Sequence, residues 1–151
     1  MGLAALAAAL DRLTKLAALR LAPAGGTLAP GVLELRPVRN RGVAFSMLSG
    51  QAGATAALTL MLVAGLTLWL LLKPEQPRLF RAGLWLIVGG GLGNLYDRLT
   101  SGAVIDFLEF AFVRFAVFNV ADVCICLGAA LAMLSAIRTE VGKGGAHGAG
   151  V

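Results

Sequence analysis

Ala54 to Leu72 is a run of nineteen residues without a charge. A hydrocarbon core about 30 Å thick needs roughly 20 apolar residues of helix to cross it, and this run meets that length. It stops at Lys73-Pro74-Glu75-Gln76-Pro77-Arg78, where two prolines and three charges cannot continue a membrane helix. Of the 151 residues, 58% are hydrophobic and only 14% charged, against about 25% charged in soluble domains. The composition therefore suits lipid rather than water.

Three further stretches read as spans. Leu79 to Tyr96 contains Gly89, Gly90, Gly91 and Gly93, which would weaken a soluble helix but allow close backbone approach in lipid. Gly89 and Gly93 form a GxxxG pair. A dinucleotide-binding loop would need a soluble strand, turn and helix around such glycines, and the pattern lacks them. Val117 to Ile137 holds one charge, Asp122, near its start. Met1 to Leu21 is Ala/Leu-rich but interrupted by Asp11, Arg12, Lys15 and Arg20. With no basic stretch ahead of its apolar part, it reads as a fourth helix that turns polar groups inward, not as a cleaved signal peptide.

Gly31 to Leu48 shows no helical period, and Leu33-Glu34-Leu35-Arg36 alternates like a half-buried strand until Pro37 and Gly42 interrupt it. The expected fold is thus an all-α membrane protein, a four-transmembrane-helix bundle with a small strand-containing cap at the membrane surface. Residues 1–141 form a single membrane-embedded domain, and 142–151 a flexible Gly-rich tail. Four spans put both ends of the chain on one side. That side would hold Lys73, Arg78, Arg81, Arg138 and Lys143, and the other Arg36, Arg39, Arg41, Arg98 and Arg114. The two groups balance, so loop charge leaves the orientation open.

Several function classes drop out early. The net charge is +5, but the 13 Lys and Arg residues are scattered and form no stripe for nucleic-acid phosphates; they suit loops meeting anionic lipid headgroups. His147 is the single histidine and lies in the tail, which removes Ser-His and Cys-His catalysis and His-ligated metal. Cys124 and Cys126 are two apart in an apolar run, point to different sides of a helix and read as small buried residues.

The chemistry rests on carboxylates. The segment between the third and fourth spans returns to the face it left, which gathers Asp97, Asp106 and Asp122 at one surface. Asp122 lies 15 residues before Ile137, about 22 Å of helix, and so sits somewhat below the far interface. Asp97 is followed by Arg98, an adjacent cation expected to hold it ionised in a structural pair. Asp106 and Asp122 are flanked by apolar residues, where lost hydration raises a carboxyl pKa and a close partner raises one of two further. Two such carboxyls can share one proton, activate water and protonate an amide. Asn119 and Asp122 also fit a helix N-cap with an acid at its third position, and Asn94 with Asp97 could close their own helix. Spacing leaves both readings open. Glu109 is a competitor with the expected role of a solvated loop carboxylate, and Asp11 with Lys15, at i and i+4, is expected to form an ion pair.

These residues resemble a family. Asn94-Leu-Tyr-Asp97-Arg98 with Gly102-Ala-Val-Ile-Asp106-Phe107, then Phe118-Asn119-Val-Ala-Asp122, are similar to the two signature stretches of the lipoprotein signal peptidases, or signal peptidase II. Asn40-Arg-Gly42-Val-Ala44-Phe45-Ser46 resembles that family's Asn-x-Gly-x-Ala-Phe-Ser segment, and Asp11-Arg-Leu-Thr-Lys15 its Asp-x-x-x-Lys. Position 12 departs, being Arg where the family often has Gln, and only ten residues precede Asp11. The resemblance implies an aspartic endopeptidase with a catalytic pair of Asp106 and Asp122. It implies that Asn40, Gly42, Asn94, Asp97, Arg98, Asn119, Asp11 and Lys15 shape the site or hold substrate. It further implies a diacylglyceryl-modified bacterial prolipoprotein cut just before its lipidated cysteine, in the cytoplasmic membrane. The cap and the site would then be extracytoplasmic and both termini cytoplasmic. No cofactor is implied, a metal is not expected among so few and scattered carboxylates, and the enzyme is expected to work as a monomer among membrane lipids.

The rival reading is a small proton- or cation-coupled transporter component. It expects charges near mid-membrane and often an inverted repeat, whereas here the acids gather toward one face and no such repeat is found. An inactive assembly subunit would account for GxxxG but not for two acids without neighbouring cations.

Overall fold

A computed structural model describes the backbone of residues 1–42 and 52–147, and the side chains of 1–42 and 53–141. Its elements run α1 (Gly2–Leu21), β1 (Gly26–Ala29), β2 (Leu33–Asn40), α2 (Ala52–Leu72), α3 (Arg78–Ser101), β3 (Val104–Phe110) and α4 (Val120–His147). Among the described residues, two helices are long and apolar enough to cross a membrane, over Gly53–Leu72 and Val120–Val141. The anticipated helices are all present. Their limits differ in ways that bear on the site.

Helix α3 does not close at Asn94 and Asp97 but continues to Ser101, and Asp97 pairs instead with a buried cation on another helix. It is closed by Gly102, which takes the left-handed conformation (φ 68°) open to glycine and donates its N–H to the Arg98 carbonyl at 3.1 Å. The chain then enters β3 within two residues. Helix α4 starts at Val120, later than the apolar pattern suggests, since Phe118 pairs with Leu108 on β3 instead. At its other end, α4 continues to His147, through the first part of the stretch read as a tail.

Helix α3 is the hub, packed against α1, α2 and α4, while α1 also touches α4, β2 and β3. Its glycines make this possible. A Cβ on Gly89 would lie 2.6 Å from the Ala4 carbonyl of α1, one on Gly91 2.6 Å from a Val63 methyl of α2, and one on Gly90 would meet the Ala121 carbonyl of α4. One glycine run thus seats three helices, as small residues do where lipid supplies no hydrophobic drive. Trp85, Val88 and Leu84 of α3 form the apolar core with Leu70, Val63, Ala132 and Ala4. Leu6, Met61, Leu62, Leu127 and Met133 face outward and exposed, a surface suited to acyl chains.

The cap is an antiparallel sheet in the order β1-β2-β3. The alternation of Leu33 to Arg36 appears as predicted, with the leucines half-buried and Glu34 and Arg36 exposed. Pro37, which has no N–H to give, falls where the ladder slips between Leu35 and Val38. β3 was not anticipated, although Val104-Ile105 and Phe107 are a strand composition. It places Asp106 opposite Val38. Residues 43–48 of the predicted cap lie outside the described residues.

Candidate active site

Five elements, α1, β2, α3, β3 and α4, each supply part of one buried polar network. Lys15 of α1 is fully buried, and its Nζ lies 2.8 Å from Asp11 Oδ2, 2.8 Å from Asp97 Oδ2 and 3.0 Å from Asn94 Oδ1. The expected Asp11–Lys15 pair is present, but it is sealed inside and extended by α3. Each carboxylate also fixes a second element, Asp11 through its other oxygen and Asp97 through the same Oδ2 that holds Lys15. Asp11 Oδ1 accepts the backbone N–H of Ala121 at 2.9 Å, anchoring the start of α4, and Asp97 Oδ2 accepts that of Ile105 at 3.1 Å, anchoring β3. Gly93 allows the α1 approach, since a Cβ there would overlap the Asp11 carboxylate.

The Asp97–Arg98 pair expected from sequence adjacency does not form. Successive helical residues point about 100° apart, so one faces α1 while the other turns away. Asp97 pairs with Lys15 and, at 3.4 Å, with Arg12, whose guanidinium also lies 4.8 Å from the Tyr96 ring centre. Arg98 donates to the Gly42 carbonyl at 3.2 Å and interacts electrostatically with Asp122 and Asp106 before Asp97. The two aspartates therefore do have a cation nearby, supplied by the fold and not by their sequence neighbours. Arg12 carried no signal beyond its departure from the family pattern, because its partner Asp97 lies on another helix.

Asn119 joins the two aspartates. Its Nδ2 donates to Asp106 Oδ1 at 2.7 Å and to Asn94 Oδ1 at 3.0 Å, while its backbone N–H donates to Asp122 Oδ2 at 3.1 Å. Its own Oδ1 accepts the Asp122 N–H at 2.9 Å, which completes a reciprocal cap of α4. The capping reading and the site reading thus describe the same bonds. Asn94 Nδ2 donates to Asp122 Oδ1 at 2.9 Å, and Asn40 Nδ2 to Asp106 Oδ2 at 2.9 Å. The Gly42 N–H donates to Asn40 Oδ1 at 2.9 Å, fixing which edge of that amide faces Asp106. Val43 to Ser46 of the same motif lie outside the described residues.

Asp106 is 2% exposed. Burial, with the Asp122 charge adding to it, pushes its carboxyl up to about 6, against the opposing pull of the Asn40 and Asn119 hydrogen bonds and of Lys15. Glu109 is apart from this network. It sits on β3, not in a loop, and pairs with Arg36 at 2.8 Å on the outer side of the sheet. Among the described residues, no three metal-ligating side chains converge.

The sequence matches the family of signal peptidase (SPase) II over residues 3–138. The chain belongs to the signal peptidase II family. It is 41% identical to a lipoprotein signal peptidase of Gloeobacter violaceus, over 91% of this chain and 80% of that one. It is 40% identical to one of Aeromonas hydrophila, over 93% and 89%. In fold it is similar to a bacterial membrane enzyme determined by the in meso method at 2.3 Å, with 25% identity and a TM-score of 0.84 over 93% of this chain and 88% of that one. As a signal peptidase II it is a membrane peptidase of the aspartic type, and the transporter reading finds no support.

Proposed function

We propose that this signal peptidase II removes the signal peptide from diacylglyceryl-modified bacterial prolipoproteins, cutting just before the lipidated cysteine with a water activated by Asp106 and Asp122. The observation that carries the assignment is Asn119, which bonds one oxygen of each carboxylate and so holds the two acids about one residue. A dyad needs one member as base and one as acid. Burial favours the proton on Asp106, leaving Asp122 to take a proton from water as its oxygen attacks the scissile carbonyl. Asp106 then protonates the departing amide nitrogen as the C–N bond breaks. Arg98, interacting with both acids, balances their shared charge. Asn40, Asn94 and Asn119 aim the carboxylates, Gly42 aims Asn40, and Lys15 with Asp11 and Asp97 locks the helices and β3 that carry them.

In this reading all four helices enter the bacterial cytoplasmic membrane, with the turn at 73–78 and the end of α4 on the cytoplasmic side and α1 starting toward it. The sheet and the dyad lie at the outer face. From Ala121 to Val141 is roughly 30 Å of helix, about the thickness of a hydrocarbon core. A site at the top of α4 suits a substrate whose acyl chains stay in the bilayer during cleavage. One polypeptide supplies every group named, so the enzyme works as a monomer among lipids. The test is to incubate purified protein with a diacylglyceryl-modified prolipoprotein and with its unmodified form. Cleavage of the modified form alone is expected; cleavage of neither overturns the assignment.

A further inference from the structure

Between β3 and α4 the chain reads Phe110-Ala-Phe112-Val113-Arg114-Phe115-Ala-Val117-Phe118. Its two ends are tied together, with the Phe118 N–H donating to the Leu108 carbonyl at 2.9 Å and the Leu108 N–H to that of Phe118 at 2.9 Å. The segment is therefore a closed hairpin-like loop. Four rings cluster on it: Phe110 lies with its centre 5.5 Å from Phe112, 5.9 Å from Phe115 and 5.0 Å from Phe118. Yet Phe112 is 68% exposed, Phe115 56% and Val113 50%. An apolar tip of this size is not a core feature, and the dyad network does not use it.

We infer that this loop is an interfacial anchor whose aromatic tip inserts into the outer leaflet beside the site. The occupant is the bilayer, on three grounds. The loop ends two residues before Val120, the first residue of an apolar membrane-length helix, so its tip leaves from the depth at which that helix enters lipid. Beyond the buried Asn119 and Ala121, exposed Val123 and Leu127 present further apolar side chains on α4. Arg114, between Phe112 and Phe115, gives the tip the aromatic-plus-cation composition of the headgroup boundary, where rings rest among acyl carbonyls and the guanidinium meets phosphate. The anchor continues directly into β3, which carries Asp106, and into Asn119, which holds both acids. It thereby fixes their height relative to the membrane, and the inference stands whether or not those acids are the catalytic pair.

The test places a nitroxide label on single cysteines at positions 112, 115 and, as a control, 34, with Cys124 and Cys126 replaced by alanine, in full-length protein reconstituted into bilayers. Accessibility to oxygen, which concentrates in lipid, is compared with that to a water-soluble nickel chelate. Labels at 112 and 115 are expected to show a several-fold higher oxygen-to-nickel ratio than the label on exposed Glu34. Val113→Cys, outside the ring cluster, gives the same readout should either ring be needed for folding. Equal nickel access at 34, 113 and 115 would overturn the anchor and leave a water-facing surface for a protein partner. Shielding that appears only on adding a diacylglyceryl peptide would overturn it in favour of an acyl-chain docking surface.

Discussion

Lys15 Nζ lies 2.8 Å from Asp97 Oδ2, and both side chains are sealed from the surface. Lys15 also holds Asp11, so its removal leaves buried Asp11 without a paired cation and Asp97 with only Arg12 at 3.4 Å. Lys15→Met is expected to cost about 3–5 kcal/mol, the range for breaking a buried pair. Asp97→Asn, which leaves Lys15 paired with Asp11 and keeps the shape, should cost about 1–3 kcal/mol and retain measurable turnover. Reversible unfolding in detergent, followed by far-UV circular dichroism, gives the order, and a Lys15→Met protein as stable as the parent would refute it.

The dyad makes a sharper demand. Asn copies the shape of Asp but can neither take the water proton nor supply one to the amide. Asp106→Asn and Asp122→Asn are each expected to abolish turnover of lipid-modified substrate while the protein still folds and inserts. The double variant should be no worse than either single one, since the two act as a unit. Near-normal turnover in either single variant would remove the dyad.

Asp106 also predicts a pH dependence of stability. Its native carboxyl titrates at about 6 against 3.8 for the free group, so between those values the native state holds a proton that the unfolded chain has released. Stability therefore falls as pH rises through that window. Relative to the parent, Asp106→Asn should gain stability between about pH 4 and about pH 7, with little further change above, as read from melting temperatures in detergent. A parallel pair of pH profiles would contradict the assignment.

Glu109 provides the contrast. Its bond to Arg36 is on the outer side of the sheet, with Arg36 largely exposed, and such pairs contribute about 0–1 kcal/mol. Glu109→Gln is expected to keep near-parental turnover and melting temperature. Loss of turnover in this variant, with Asp106→Asn active, would move the acid to position 109.

Topology is testable without activity. In a background lacking Cys124 and Cys126, a cysteine at Glu34 should react with an impermeant reagent in intact cells, and one at Glu75 only after the membrane is opened. The reverse pattern would invert the orientation.

The helices and the polar positions were legible in the residues alone. Runs such as Ala54 to Leu72 need only length and apolarity to be recognised, because in lipid a helix satisfies its own backbone. The glycines of α3 announced close packing, Asp106 and Asp122 stood out as carboxylates in apolar surroundings, and Asp11, Asn94 and Asn119 entered through their spacing and the family resemblance. Which group meets which was decided by tertiary structure. Adjacency suggested Asp97 with Arg98, yet the helical rotation between them sends Asp97 to Lys15 and Arg12 and Arg98 toward the dyad. β3 escaped notice because a strand bears no solvent-facing alternation when it starts buried on both sides, as Val104 to Phe107 does. Local periodicity reports which face of an element is apolar; the partners of a buried charge lie on other elements, and only the packing of α3 against α1 and α4 brings them within bonding distance.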